Sequence, residues 1–218
     1  FTEYGRKSIR LNTDHNIGKY ISIGQTLMVS NDTRIGEGNA GGRSLVMNIM
    51  RMTPYWPVND PTKIGGFSTT AQGLDATDPE NPMRIVNQEQ KDNINRSYKV
   101  LGTLFAEIKF TNWLKYKFTM GGDYASNVNS TFSPIYDDGN RSRPTAALGQ
   151  NRGQYFSSVI TNQLSFDKNF GKHSISATAV AEKQDAQFKS INITGQRPDN
   201  NIKEVQGASN IAGTTSTT

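Results

Sequence analysis

The chain has 218 residues, 34 % of them hydrophobic, and a formal net charge of +5 from 24 basic and 19 acidic side chains. Its mean hydropathy of −0.62 is low for a domain of this length, yet it carries 20 Gly, 8 Tyr and 10 Phe, whereas disordered chains are poor in aromatics. No basic run exceeds two residues, so no nucleic-acid footprint is visible, and the absence of cysteine excludes disulfides, thiol catalysis and Cys-ligated zinc.

In chain order, the first signal is strict alternation. In a strand, successive side chains point to opposite faces. Ile9, Leu11 and Thr13 share one face, and Ser8, Arg10, Asn12 and Asp14 the other. After a tight turn at Gly18-Lys19, Ile21, Ile23, Leu27 and Val29 alternate with Ser22, Gly24, Thr26 and Ser30, with Gln25 and Met28 as exceptions. These stretches predict a hairpin over about 6–30.

A long polar segment, Asn31 to Ser97, follows. It opens with the glycine run Gly36 to Gly42, which has a dinucleotide-like spacing but no βαβ context. From Ser44 to Met52, Leu45, Val46, Ile49 and Met50 fall at helical spacing; Ser44 is placed to cap the helix and Pro54 to stop it. Pro54-Tyr55-Trp56-Pro57 then offers two aromatic rings between two prolines. Such rings add large contact area at small entropic cost, and they serve equally to pack their own loop.

The second hairpin, about 98–126, is the clearest. Tyr98, Val100, Gly102, Leu104, Ala106, Ile108 and Phe110 oppose Lys99, Thr103, Glu107 and Lys109, with Leu101 and Phe105 intruding on the polar face. Beyond a turn at Thr111-Asn112-Trp113, Leu114, Tyr116, Phe118, Met120, Gly122 and Tyr124 alternate with Lys115, Lys117, Thr119, Gly121 and Asp123. The segment Asn127 to Gln154 is the second long loop. It holds Phe132, Tyr136 and Asp137-Asp138-Gly139-Asn140, which reads as a turn because it lacks the spacing of a calcium loop.

The third hairpin, about 155–185, sets Phe156, Ile160, Leu164 and Phe166 against Ser157, Thr161, Gln163, Ser165 and Asp167. It turns at Asn169 to Lys172 and returns through Ile175, Ala177, Ala179 and Ala181. The tail Gly213 to Thr218 reads as low complexity.

Short turns on one side and loops of roughly 65 and 28 residues on the other form the asymmetry of an outer-membrane barrel, whose long loops face outside. Strands of ~9–11 residues cross a bilayer when tilted. Tyr20, Tyr98, Phe110, Trp113, Tyr124, Phe156, Phe166 and Phe170 cluster near strand ends, where aromatic girdles form. The expected fold is therefore all-β: a transmembrane antiparallel β-barrel segment within one larger barrel domain. Phe1 is not an initiator methionine and no signal-like run follows it, so the chain reads as an internal stretch of a longer processed protein, without its signal peptide. Catalytic motifs are missing, and the reading is a non-enzyme without cofactor or metal.

The hairpin Ser8 to Gly24, the run Leu45 to Val58 with its proline-flanked end, and the pieces Gly102 to Ile108, Asn112 to Lys117 and Asn162 to Lys168 resemble the SusC/RagA family of TonB-dependent outer-membrane transporters. That resemblance implies a Gram-negative outer-membrane barrel of about 22 strands with an N-terminal plug and a TonB-contacting box, neither of which lies in this chain. It also implies an SusD-like surface lipoprotein as a lid, TonB and outer-membrane lipid as partners, and oligosaccharides or peptides as imported ligands. Tyr55, Trp56, Phe132 and Tyr136 are then the candidate contacts to ligand or lid. A soluble all-β secreted binding or adhesin module and a passive outer-membrane porin are the alternatives.

Overall fold

The computed structural model describes residues 2–36, 41, 44–68, 79–137 and 142–218. Seven strands form one sheet: β1 Glu3–Ile17, β2 Ile21–Ile35, β3 Ile94–Lys109, β4 Leu114–Ser133, β5 Ala146–Phe170, β6 His173–Arg197 and β7 Ser209–Thr217. Their spatial order is their chain order, and every pair is antiparallel.

The register carries each apolar face onto the next. Leu11 lies opposite Leu27, Leu27 opposite Gly102, Gly102 opposite Gly122, and Gly122 opposite Ser158. One row along, Ile9, Val29, Val100, Tyr124 and Phe156 run across five strands. From β1 to β5 the turn-side half of the sheet therefore has an apolar face and a polar face, while on β6 the apolar side carries Ala177, Ala179 and Ala181 and then the Lys183–Asp185 ion pair. The side chains of Ile9, Val29, Leu104, Met120 and Phe156 stand exposed on the apolar face.

The apolar exceptions on the polar face find one another. Met28 is the register partner of Leu101. Phe105 lies over Gly24, where an added Cβ would fall 2.4 Å from the ring, and the Lys117 ammonium stands 4.8 Å from the same ring's centre. One polar exception on the apolar face is answered: Asn162 Oδ1 accepts a 2.6 Å bond from the Tyr116 hydroxyl, while Gln25 and the Lys183–Asp185 ion pair stand exposed on the same face. A bare amide in hydrocarbon costs several kcal/mol, so Tyr116 is what lets Asn162 sit there.

The turns are as short as the alternation predicts. Gly18 (φ 67°) opens the first and Gly171 (φ 61°) the third, left-handed positions that a side chain would strain. Phe170 pairs with His173, leaving a two-residue link with positive φ at its first position, as in a type II′ turn. Near this end Trp113 meets Phe166 edge to face at 5.4 Å, and the Lys168 ammonium sits 4.6 Å from the Trp113 ring.

On the other side the strands run past the limits the alternation gives. β4 continues to Ser133 and β5 begins at Ala146, so most of Asn127 to Gln154 is ribbon rather than loop. β5 and β6 have 25 residues each, about 80 Å of strand, against the ~9–11 residues a crossing needs. The threonine-rich tail is strand β7, paired with β6 from Lys189 to Gln196. The buried apolar core lies at this far end: Phe132, Ile135, Ala146, Leu148 and Val205, with Ile193 and Ala208 against them. The glycine run and the Asp138-Gly139-Asn140 turn fall largely outside the described residues.

Because the two faces alternate residue by residue, they separate cleanly in experiment. Leu104→Arg or Phe118→Arg on the apolar face, where a mid-bilayer cation costs about 2–4 kcal/mol, is expected to abolish the heat-modifiable barrel form on gels. Thr103→Arg or Thr119→Arg on the polar face is expected to leave it intact. Equal loss from both sets would refute the assignment of faces.

Candidate functional site

The loop end is organised by a few buried polar side chains. Helix α1, Leu45–Arg51, starts where the Ser44 hydroxyl accepts the Met47 amide at 3.3 Å, satisfying an end donor that the helix itself cannot. On α1 the buried residue is Asn48. Its Oδ1 accepts the Glu80 amide at 2.9 Å and its Nδ2 donates to the Ser44 carbonyl at 3.2 Å. Asn81 does the same work for the return segment: Nδ2 donates to the carbonyls of Val58 (2.9 Å) and Ser68 (3.2 Å), while Oδ1 caps the turn that follows by accepting the Met83 amide at 3.0 Å. Two asparagines thereby tie 44–68 to 79–92. Between them, Asp60 accepts from the Thr62 hydroxyl (2.6 Å) and amide (3.0 Å), which holds its carboxyl below the usual range.

A charged knot lies beneath. After Asn81 the chain coils through Pro82–Arg84, Ile85–Glu89 and Gln90–Asp92. Arg84 is 3 % exposed. Its Nη1 donates to Glu89 at 2.6 Å and its Nη2 to Glu80, while the guanidinium carbon lies 3.8 Å over the Tyr136 ring. Arg143 approaches that ring at 5.3 Å and pairs its backbone with Tyr136 at 2.8 and 3.2 Å. Burial, with Glu80 nearby, pushes the Tyr136 phenol above its usual value, so it stays neutral.

The β6–β7 connection closes the arrangement. Asn200 exchanges two bonds with the Ile135 backbone, at 2.8 and 3.2 Å. Lys203 pairs with Asp92 at 2.6 Å, its ammonium 5.3 Å from the Phe132 ring. Lys63 reaches Asp137 at 3.7 Å. The first long loop, the β4–β5 connection and the β6–β7 connection are thus one linked body.

The four aromatic candidates separate here. Tyr55 is 61 % exposed and stacks on Trp56 with centroids 5.9 Å apart at 27°. Phe132 and Tyr136 are 3 % and 7 % exposed; the first is core and the second is the platform for Arg84. Both expected ligand or lid contacts thus lie within the loop body, Phe132 lining a recess that it shares with Arg96 and Glu204. The apolar side chains of α1 (Val46, Ile49 and Met50), shortly before Tyr55 in the chain, are exposed, so the helix presents an apolar stripe to solvent. Sequence reading also missed Tyr155 and Phe188, register partners on the polar face whose rings are both exposed. They follow the alternation of their strands, but apolar neighbours at Phe156 and Ile191 mask them.

Among the described residues no group of three or more His, Asp or Glu side chains could hold a metal ion, and His15 and His173 sit on strands. What the site offers is surface: exposed aromatic and aliphatic groups on a rigid mount.

No family model matches the chain, and no curated protein matches its sequence. Among solved structures it is similar to chains of the RagAB peptide importer in its "open-open" state (TM-score 0.76, 16 % identity), of the RagAB peptide transporter (0.76, 17 %), and of the importer in its "closed-closed" state (0.74, 15 %). Each covers 98 % of this chain, and this chain spans about a quarter of theirs, 24–25 %. At this identity the likeness establishes the fold, that of a barrel segment with its loop end.

Arg84 is expected to decide whether the loop body holds together. Arg84→Ala removes the cation shared by Glu80 and Glu89 and should cost about 3 kcal/mol locally. Hydrogen exchange on the full protein should show amides of 79–92 and 135–137 losing protection, with 98–108 and 114–124 unchanged. Unchanged protection of 79–92 would show that the knot is incidental.

Proposed function

We propose that this chain is part of the wall and outer rim of a SusC/RagA-type TonB-dependent importer, in which imported material passes inside a barrel and is captured at the loop end. The single observation that carries the reading is the combination just described. An apolar face suited to lipid runs from β1 to β5 on one side of the sheet, and 98 % of the chain is similar in fold to a chain of the RagAB peptide importer. Peptides are the ligand class favoured by that likeness, and oligosaccharides remain the alternative from the family resemblance. An SusD-like surface lipoprotein is the expected lid and TonB the source of movement, through parts of the protein beyond this stretch.

The mechanism asked of this stretch is mechanical rather than chemical. The strands form an edge-free frame once the remaining barrel closes on β1 and β7, since an open edge in lipid leaves backbone groups unpaired. The loop body presents Tyr55 and Trp56 on a fixed mount. Their flanking prolines limit the freedom lost on contact, and burying such side chains contributes ~1.5–3 kcal/mol each. The polar face, with Lys99 paired to Asp123 at 3.2 Å and with Tyr155 and Phe188 higher up, lines the way in.

Orientation follows and is testable by labelling. Cysteine placed at Ile64 or Asn201, both exposed in the loop body, should react with an impermeant maleimide on whole cells. Cysteine at Lys19 or Lys172, in the short turns, should react only after lysis. Labelling of the turn positions on intact cells would invert the topology.

For function, Tyr55→Ala with Trp56→Ala is expected to weaken ligand uptake or lid association by about tenfold or more, at unchanged barrel amount in the outer membrane. Uptake measured with labelled peptide, together with co-purification of the lid lipoprotein, reads this out. If both are unaffected, the aromatic pair only packs its own loop.

A further inference from the structure

Beyond the apolar band, the same face of the sheet changes character abruptly. One row past Val100, Tyr124 and Phe156 runs Lys7, Asn31, Tyr98, Ser126, Gln154 and Lys189; the next row holds Arg96, Val128 and Arg152. Arg96 and Arg152 flank Val128 from the two neighbouring strands, and all four cations are exposed. None of the four makes an ion pair or a side-chain hydrogen bond with a described residue, whereas Arg6, Lys63, Arg84, Lys99, Lys109, Lys183, Arg197 and Lys203 each pair with an acid. The acids on this side of the sheet are few. Asp185 pairs with Lys183, Asp92 with Lys203, Glu3 lies at the outer edge of β1, and Glu204 shares the recess beside Arg96.

Below the cations, in the apolar band, the wall is not flat. Gly102 and Gly122 are register partners and form the floor of a groove of about 420 Å³, walled by Leu104, Met120, Tyr124 and Phe156. Phe156 and Arg152 are four residues apart on one strand face, roughly 13 Å. A long cationic side chain beside a bilayer reaches toward the interface, so the groove lies at acyl-chain depth and the guanidinium groups at phosphate depth.

We infer that this face holds one anionic, phosphorylated lipid of the surrounding leaflet, its chain in the Gly102–Gly122 groove and its phosphate between Arg96 and Arg152. The inference rests on the barrel reading, because only then does this face meet lipid. Charge complementarity selects the occupant. A neutral lipid would satisfy the groove and leave unpaired cations at the headgroup level, whereas a phosphate accepts guanidinium donors in a charge-assisted bond. Glu204 sits where it opposes the phosphate, which sets the sign of a second variant.

The test uses the full-length transporter purified in non-ionic detergent, incubated with diphosphoryl lipid A and read by native mass spectrometry. One lipid is expected to be retained. Retention should fall about tenfold or more in Arg96→Gln with Arg152→Gln and rise in Glu204→Gln. Zwitterionic phosphatidylethanolamine should show no such dependence, and excess inorganic phosphate should not displace the lipid. Equal retention in wild type and both variants overturns the site; displacement by phosphate alone overturns the lipid as its occupant. Heat-modifiable migration is followed in every sample. A wild-type chain that never forms a membrane barrel argues against the transporter reading itself, separately from the lipid site.

Discussion

A sheet that stands in hydrocarbon has no water with which to complete its backbone hydrogen bonds. That constraint explains the plainness of the architecture. Each strand pairs with the one before it and the one after it, in a register unbroken from β1 through β6, with a single shift where β6 meets β7. A bulge inside the belt would leave unpaired groups in lipid; the irregularity between Thr194 and Gln196 occurs far from the apolar band, where water can satisfy them. The Tyr116–Asn162 bond meets the same demand for one side chain: an amide on the apolar face is paired with a phenol from the neighbouring strand.

Outside the belt the demand reverses. Nothing forces a continuous apolar face on a ribbon standing in water; the upper strands mix polar residues with isolated exposed Tyr155, Phe188 and Ile191, and the buried core shrinks to the small cluster around Phe132 and Leu148. What holds the loop body together is mostly buried polar pairing: Asn48 and Asn81 serving backbone groups of distant loops, and Arg84 divided between two glutamates over a tyrosine ring. Such arrangements contribute little net stability against a packed apolar equivalent, but they are costly to break singly. They fix one geometry, in which Tyr55 and the apolar side chains of α1 stay exposed.

These two regimes account for what could be read from the residues in advance. Near the turns the alternation is strict, so the hairpins and their turns were legible from residues such as Ile9, Leu104, Phe118 and Ile160; the α1 helix and its Ser44 cap were legible from local spacing. Beyond the belt, Ser126 to Ser133 and Gly149 to Gln154 carry no period, and the strands there are dictated by pairing with neighbours that already exist. The tail from Ser209 was unreadable for the same reason: threonines suit a strand, but only β6 makes them one. At the candidate site, Tyr55 and Trp56 were visible as a proline-bracketed pair. The interior fate of Tyr136 depended on Arg84, some fifty positions earlier, and no local pattern announces a contact of that range.

The strictly sequential pairing also bears on how such a wall comes to be built. Links of two to four residues close β1 on β2, β3 on β4 and β5 on β6 at small entropic cost, whereas joining β2 to β3 must first close the stretch from Gly36 to Asn93. Hairpins are therefore the natural units of growth, each arriving with one edge ready to template the next. Because the loop body is knitted from the first long loop together with the β4–β5 and β6–β7 connections, its knot can tighten only after several hairpins have been laid side by side. The rim would then act as a late checkpoint, reporting that the order of assembly below it was correct.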